Sequence, residues 1–268
     1  MQAAAGSDYT AAGDHMKLAE LDQWLSAFLG IGALEDIDNS LNGVQVGSMA
    51  AMVRRVAFAV DASMESFRRA AEAGADTLFV HHGIFWGRPE RLTGRLYERV
   101  RFLVEHRLAL YAVHLPLDLH AEVGNNIGIA RLLGLTDIKP FGAYRGLKIG
   151  CKGILPAPAR LEEIVLRLGG RQGEQIRTLP FGPPAIQSVG IVSGDVPREF
   201  TQAVAEGLDL YITGESAHEI YHHCLESRIH VIFAGHYHSE SFGVQLLADR
   251  LARETGVETT YLDIPTGL

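Results

Sequence analysis

A chain of 268 residues, 47% of them hydrophobic, can bury one large core or two modest ones, which excludes a disordered polypeptide. Its formal net charge of −8, with 24 Lys and Arg thinly spread, argues against the clustered basic footprint that a nucleic-acid partner requires. No apolar run approaches the roughly 20 residues that cross a bilayer, and Cys151 and Cys224 lack CxxC spacing, so a soluble cytoplasmic protein without a disulfide framework is expected.

Residues 1–16 are rich in Ala, Gly, Ser and Thr, show no apolar period, and read as a disordered leader or cloning remnant. From Val56 the chain reads VAFAVDASMESFRRAAEAGADTLFVHHG: an apolar strand, an amphipathic helix closed by Gly74, and a second apolar strand ending at Val80-His81-His82-Gly83. A further helix leads to a strand over Leu108–Val113, then His114-Leu115-Pro116-Leu117-Asp118 and a helical segment over Ala121–Leu133. Residues 139–188 are Gly- and Pro-rich, with a short helix over Arg160–Leu168, and read as the boundary between halves. From Val189 the first pattern returns without a gap: Val56 aligns with Val189, Phe67 with Phe200, Ala70 with Ala203, Gly74 with Gly207 and Asp76 with Asp209. This copy ends at Gly214-Glu215, and a helical pattern over Ser216–Ser227 and a strand over Val231–Ala234 precede His236-Tyr237-His238-Ser239-Glu240. A helix over Phe242–Thr255 and a last strand over Glu258–Ile264 complete the chain.

The repeat predicts an α/β fold of two similar βαβ-containing halves, residues 17–138 and 139–268, related by a pseudo-two-fold. Binding is expected where equivalent strand C-terminal ends converge on one cleft.

Those ends carry metal-binding chemistry. His81 and His82 suit two neighbouring ions, or one ion and its outer hydrogen-bond partners, although adjacent histidines also occur as plain surface pairs. Asp118 and Glu240 offer hard oxygens able to bridge two cations; the alternative roles are a helix cap for Asp118 and a first-turn acid for Glu240. His236 reads as a ligand. His114, taken as equivalent to His236, fits a ligand, an orienting donor or a catalytic acid/base. His120 and His238 read as a polar rim, and His222 and His223 as a half-exposed helix. No GxxxxGK[ST], GxGxxG or GxSxG is present.

Taken together, Asn42-Gly43-Val44-Gln45-Val46-Gly47, Val80-His81-His82-Gly83, His114-Leu115-Pro116-Leu117-Asp118, Gly124-Asn125-Asn126, Ile212-Thr213-Gly214-Glu215, Gly235-His236 with Glu240, and Asp263-Ile264-Pro265 are specific. The sequence resembles the Nif-three-like proteins, also called GTP cyclohydrolase I type 2, over nearly the whole chain after Met16. The resemblance implies two intertwined halves, a homohexamer with inward-facing sites, and two divalent ions (Zn, Mn, Fe, Co or Ni) held by His81, His82, Asp118, His236 and Glu240. Three imidazoles and two carboxylates exceed what one open catalytic ion needs and suit two ions roughly 3.5–4 Å apart. A hydrolase acting on a small-molecule nucleotide or phosphoester, with His114 catalytic, is the expected function; a metal-delivery protein and a regulatory scaffold are the alternatives.

Overall fold

The structure, a computed structural model, describes residues 15–169 and 176–268. Residues 1–14 of the expected leader lie outside the described residues. Met16, assigned to the same leader, is instead buried and opens β1 (Met16–Lys17). The chain continues through α1 (Leu18–Leu29) and β2 (Gly43–Val46) to β3 (Met52–Val53), where Val53 pairs with Met16. The folded chain therefore begins before Lys17, because Met16 fills the core beside Leu18 and Leu21.

The first repeat unit is β4 (Arg55–Asp61), α2 (Met64–Glu72) and β5 (Thr77–His82), followed by α3 (Gly94–Glu105) and β6 (Ala109–Ala112). Five consecutive residues of β4 are buried, as expected of a parallel strand covered on both faces. Helix α2 starts where the Ser63 side chain accepts from Ser66 N. It ends at Gly74, whose φ of +68° only glycine adopts without strain.

The connection and second unit comprise α4 (Leu115–Leu119), α5 (Asn125–Leu133), β7 (Thr136–Tyr144), β8 (Leu147–Ala159), α6 (Leu161–Leu168), β9 (Arg177–Pro180) and β10 (Ile186–Ile191). Then come α7 (Phe200–Ala205), β11 (Leu210–Thr213), α8 (Ile220–Ser227), β12 (His230–Phe233), α9 (His236–Thr255) and β13 (Glu258–Tyr261). Gly207 ends the helical turn after α7 with φ +67°, close to the value at Gly74.

The fold is mixed α/β. One sheet has the order β13-β4-β5-β6-β2, the other β7-β8-β10-β11-β12-β9. In each, three strands of the repeat run parallel and an antiparallel edge strand closes the side of the third. The registers agree with the ungapped alignment, Val56 lying opposite Thr77 and Val189 opposite Leu210.

One feature departs from the sequence reading. Much of the Gly/Pro-rich stretch is sheet, since β7 and β8 form a long hairpin and β8 pairs with β10. The last strand joins the first sheet, parallel to β4. Helix α9 carries it there: Tyr237, Val244, Leu247 and Leu251 pack with Val56, Phe58 and Phe79 of the first core, while Phe242 packs against the second. Among the described residues no helix is long and apolar enough to cross a membrane.

Candidate metal centre

Four strand-to-helix or strand-to-loop junctions meet at one cleft. His81 and His82 end β5, with ring centroids 4.7 Å apart. Buried His81 donates from Nδ1 to the Val113 carbonyl at 2.9 Å, which in the neutral ring leaves Nε2 unprotonated and facing Asp118 Oδ2 at 3.5 Å and Glu240 Oε1 at 3.7 Å. His82 Nδ1 lies 2.8 Å from Asp61 Oδ1, because Asp61 is its register partner on β4, and its Nε2 is 3.1 Å from Glu240 Oε2.

Asp118 lies in the single turn of α4. Its Oδ1 accepts from Asn125 Nδ2 at 2.8 Å and Ser193 Oγ at 3.1 Å, leaving Oδ2 toward His81. His236 is the first residue of α9, and Glu240, four residues on, shares its face, with Nε2 and Oε2 3.0 Å apart. The other nitrogen of His236 is 2.5 Å from Glu215 Oε1. Gly194 makes room for this carboxylate: a Cβ there would stand 2.4 Å from Glu240 Oε1, and its φ is +75°.

All five expected ligands thus come together. The oxygen Glu240 Oε2 is close to two imidazole nitrogens, yet it has no aligned hydrogen bond, and neither has His81 Nε2; both atoms are buried. Uncompensated buried donors and acceptors are costly, and a cation that takes the place of the imidazole protons gives Glu240 Oε2 and His81 Nε2 a partner. Two donor groups, His81/Asp118/Glu240 and His82/His236/Glu240, each with ligand atoms within 4.8 Å of one another, could hold a metal ion, and they share Glu240. Each imidazole is oriented through its far nitrogen by Val113, Asp61 or Glu215, the arrangement that fixes tautomer and direction in metal-binding histidines.

Electrostatics follow from this packing. Burial opposes charge on His82, but Glu240 and Asp61 outweigh it and push the imidazole up to about 10. His236 is pushed up to about 9 against burial by Glu240 and Glu215. Burial favours a protonated Glu240, yet the charges of His82 and His81 hold the carboxyl well below its usual range.

His114 joins a third group with His81 and His82 and lines the same cavity of about 340 Å³. Asp38 holds it. The buried Asp38 carboxylate accepts from His114 Nδ1 at 2.9 Å, from Leu115 N at 2.9 Å, from Asn42 Nδ2 at 2.9 Å and from Ser40 N at 3.0 Å. The expected equivalence of His114 and His236 does not hold. Val113 N donates to Val80 O and Ala234 N to Thr213 O, and α4 and α9 start at Leu115 and His236, so His114 corresponds to Gly235. The shared His-x-x-x-acid spelling is offset by one residue.

His120 bonds to the Phe28 carbonyl and His238 to that of Leu168, both outside the donor groups. His222 and His223 are exposed on α8. Sequence reasoning missed Asp38, Asp61 and Glu215 as orienting groups. Glu215 stood at a repeat strand end, and Asp61 directly follows the apolar run Val56–Val60, but pairing each with its histidine required the fold.

Residues 16–266 match the family model described as Duf34/NIF3 (NGG1p interacting factor 3). The chain belongs to the DUF34/NIF3 family. Among DUF34/NIF3 relatives named GTP cyclohydrolase 1 type 2 homolog, one from Deinococcus radiodurans is 47% identical over 93% of this chain and 94% of its own. One from Treponema pallidum is 43% identical over 94% of this chain and 100% of its own. The crystal structure of TTHA1606 from Thermus thermophilus is 40% identical, superimposes with a TM-score of 0.84, and aligns over 94% of this chain and 100% of that one.

Proposed function

We propose that this DUF34/NIF3 protein is a dinuclear, metal-dependent hydrolase acting on a nucleotide or phosphoester, in keeping with its GTP cyclohydrolase-named relatives. The observation that carries the reading is the pair of donor groups sharing Glu240, with Glu240 Oε2 and His81 Nε2 buried without an aligned hydrogen-bond partner, at the wall of a cavity. In this reading His81, Asp118 and Glu240 hold one ion, and His82, His236 and Glu240 the other. The two ions, when bound, supply Lewis acidity toward water and toward a substrate oxygen.

The chain's own groups do the rest. With Nδ1 donating to Asp38, His114 presents Nε2 as an acceptor, suited to take a proton from water in the cleft and return it to the leaving group. Trp86, its ring 5.1 Å from that of His114, walls the cavity on that side. The reading includes a pseudo-two-fold pairing of the sheets, a cytoplasmic homohexamer and inward-facing sites, a closed ring being the usual outcome of repeated identical contacts.

The test combines elemental analysis with a screen of nucleotides and phosphoesters. Metal-replete protein should turn over at least one of them, and His114→Gln should keep its metal and lose activity by about 10²–10⁴-fold. A protein that exchanges metal freely and turns over nothing would be a metal carrier instead.

A further inference from the structure

Several arginines of this acidic chain are neutralised locally. Arg55 pairs with Glu258, Arg69 with Glu65, Arg198 with Glu219 and Arg250 with Glu122, and on α3 Arg101 is shared by Glu98 and Glu105. Arg91, Arg95 and Arg99 instead cluster on one cavity. Spaced four residues apart across the start of α3, they line a cavity of about 430 Å³ whose other wall includes Gly83 and Trp86. Glu90 also lines it, yet among the described residues no carboxylate forms an ion pair with any of the three.

This arrangement is costly as it stands. Arginines four apart on a helix repel one another, and the helix dipole disfavours cations at an N-terminus. The first turn of α3 holds no acid and Thr93 makes no side-chain cap, so among the described residues its amide groups get no capping side chain there. Arg99 Nε is buried without a hydrogen-bond partner. Burial, and then the neighbouring Arg95, depresses the pKa of Arg99. A multiply charged anion in the cavity relieves all of these together.

We propose that this cavity binds a phosphoryl group through Arg91, Arg95, Arg99 and the N-terminus of α3. Planar guanidinium forks match phosphate oxygens in bidentate pairs, and three cations suit an anion bearing two or more charges better than a carboxylate. The cavity adjoins the candidate metal centre across one indole, since Trp86 lines both and its ring lies 6.0 Å from that of His82. The phosphoryl group therefore belongs either to the tail of a substrate held at the centre or to a free phosphate ion.

The test uses the full chain stripped of metal with a chelator, so that no ion in the neighbouring centre can hold the probe. Pyrophosphate is titrated calorimetrically and through Trp86 fluorescence. Saturable binding that weakens with added salt is expected. Arg95→Gln and Arg99→Gln should each weaken it at least about tenfold, while Arg101→Gln, on a paired arginine, should not. Arg95 is exposed, so its variant tests the site without disturbing the core. Tighter binding of a nucleoside triphosphate than of pyrophosphate, with no binding of the bare nucleoside, assigns the cavity to a substrate tail; equal affinity assigns it to a free anion. Absence of saturable binding in the stripped protein, or binding that both glutamine variants leave intact, means an adventitious ion only and overturns the proposal.

Discussion

At Glu240 a single buried carboxylate lies within 4 Å of three imidazoles, and its environment sets the behaviour of the whole centre. Glu240→Gln keeps the shape but removes the charge that both donor groups share. Metal content should fall by more than the roughly 10–100-fold that losing an outer partner costs, with circular dichroism unchanged; His222→Ala, on exposed α8, should load normally. Asp61→Asn and Glu215→Gln should fall within that smaller range. The pKa directions add a pH test. His82 and His236, pushed from their ordinary 6.5 to about 10 and about 9, hold protons at neutral pH in the metal-free protein. Their contribution to metal-free stability is therefore complete below pH 6.5 and lost as pH rises through about 9 to 10. An incoming ion must displace those protons, so loading at pH 7 should release acid into a weakly buffered solution, and affinity should climb from pH 6 to 9. Metal binding that releases no protons and ignores pH over that interval would place the ions elsewhere.

At the scale of elements, the βαβ units were legible because their signals are local: buried apolar runs, helix-closing glycines, and a copy that aligns without a gap. The strand-end histidines were legible for the same reason. Their orienting partners were not, because Asp61 meets His82 through strand register and Asp38 meets His114 across 76 residues of chain. The one-residue offset between α4 and α9 was hidden too, since spelling alone cannot say where a helix begins. The Gly/Pro-rich stretch misled most, because glycine marks both turns and tight strand contacts. Gly150 shows the second use: a Cβ there would lie 2.1 Å from the Ile191 carbonyl of the strand beside it. Gly150→Ala should therefore destabilise the fold by about 1–3 kcal/mol, the usual range for overpacking a tight site. Chemical denaturation would measure it, whereas an unchanged midpoint would return this glycine to the status of an ordinary loop residue.

On the scale of the whole molecule, the centre joins parts that the chain builds separately. His81 and His82 come from the first sheet, Asp118 from the turn after β6, and His236 and Glu240 from the helix that leaves the second sheet and packs on the first. A ligand that binds only the folded arrangement stabilises it by RT ln(1 + [L]/Kd), about 2.7 kcal/mol when the free ion stands at 100 times its Kd. For a protein of this size each kcal/mol moves the melting temperature by about 2–4 °C, so that loading should raise it by about 5–10 °C. The whole molecule should respond as one unit, because α9 packs Leu247 into one core and Phe242 against the other. Scanning calorimetry of chelated and reloaded protein measures the shift. Glu240→Gln should melt at nearly the same temperature with or without metal, since the carboxylate common to both donor groups is gone. A rise confined to one of two separate transitions would show that the ions stabilise a single sheet, and a full rise in the Glu240→Gln protein would remove Glu240 from the centre.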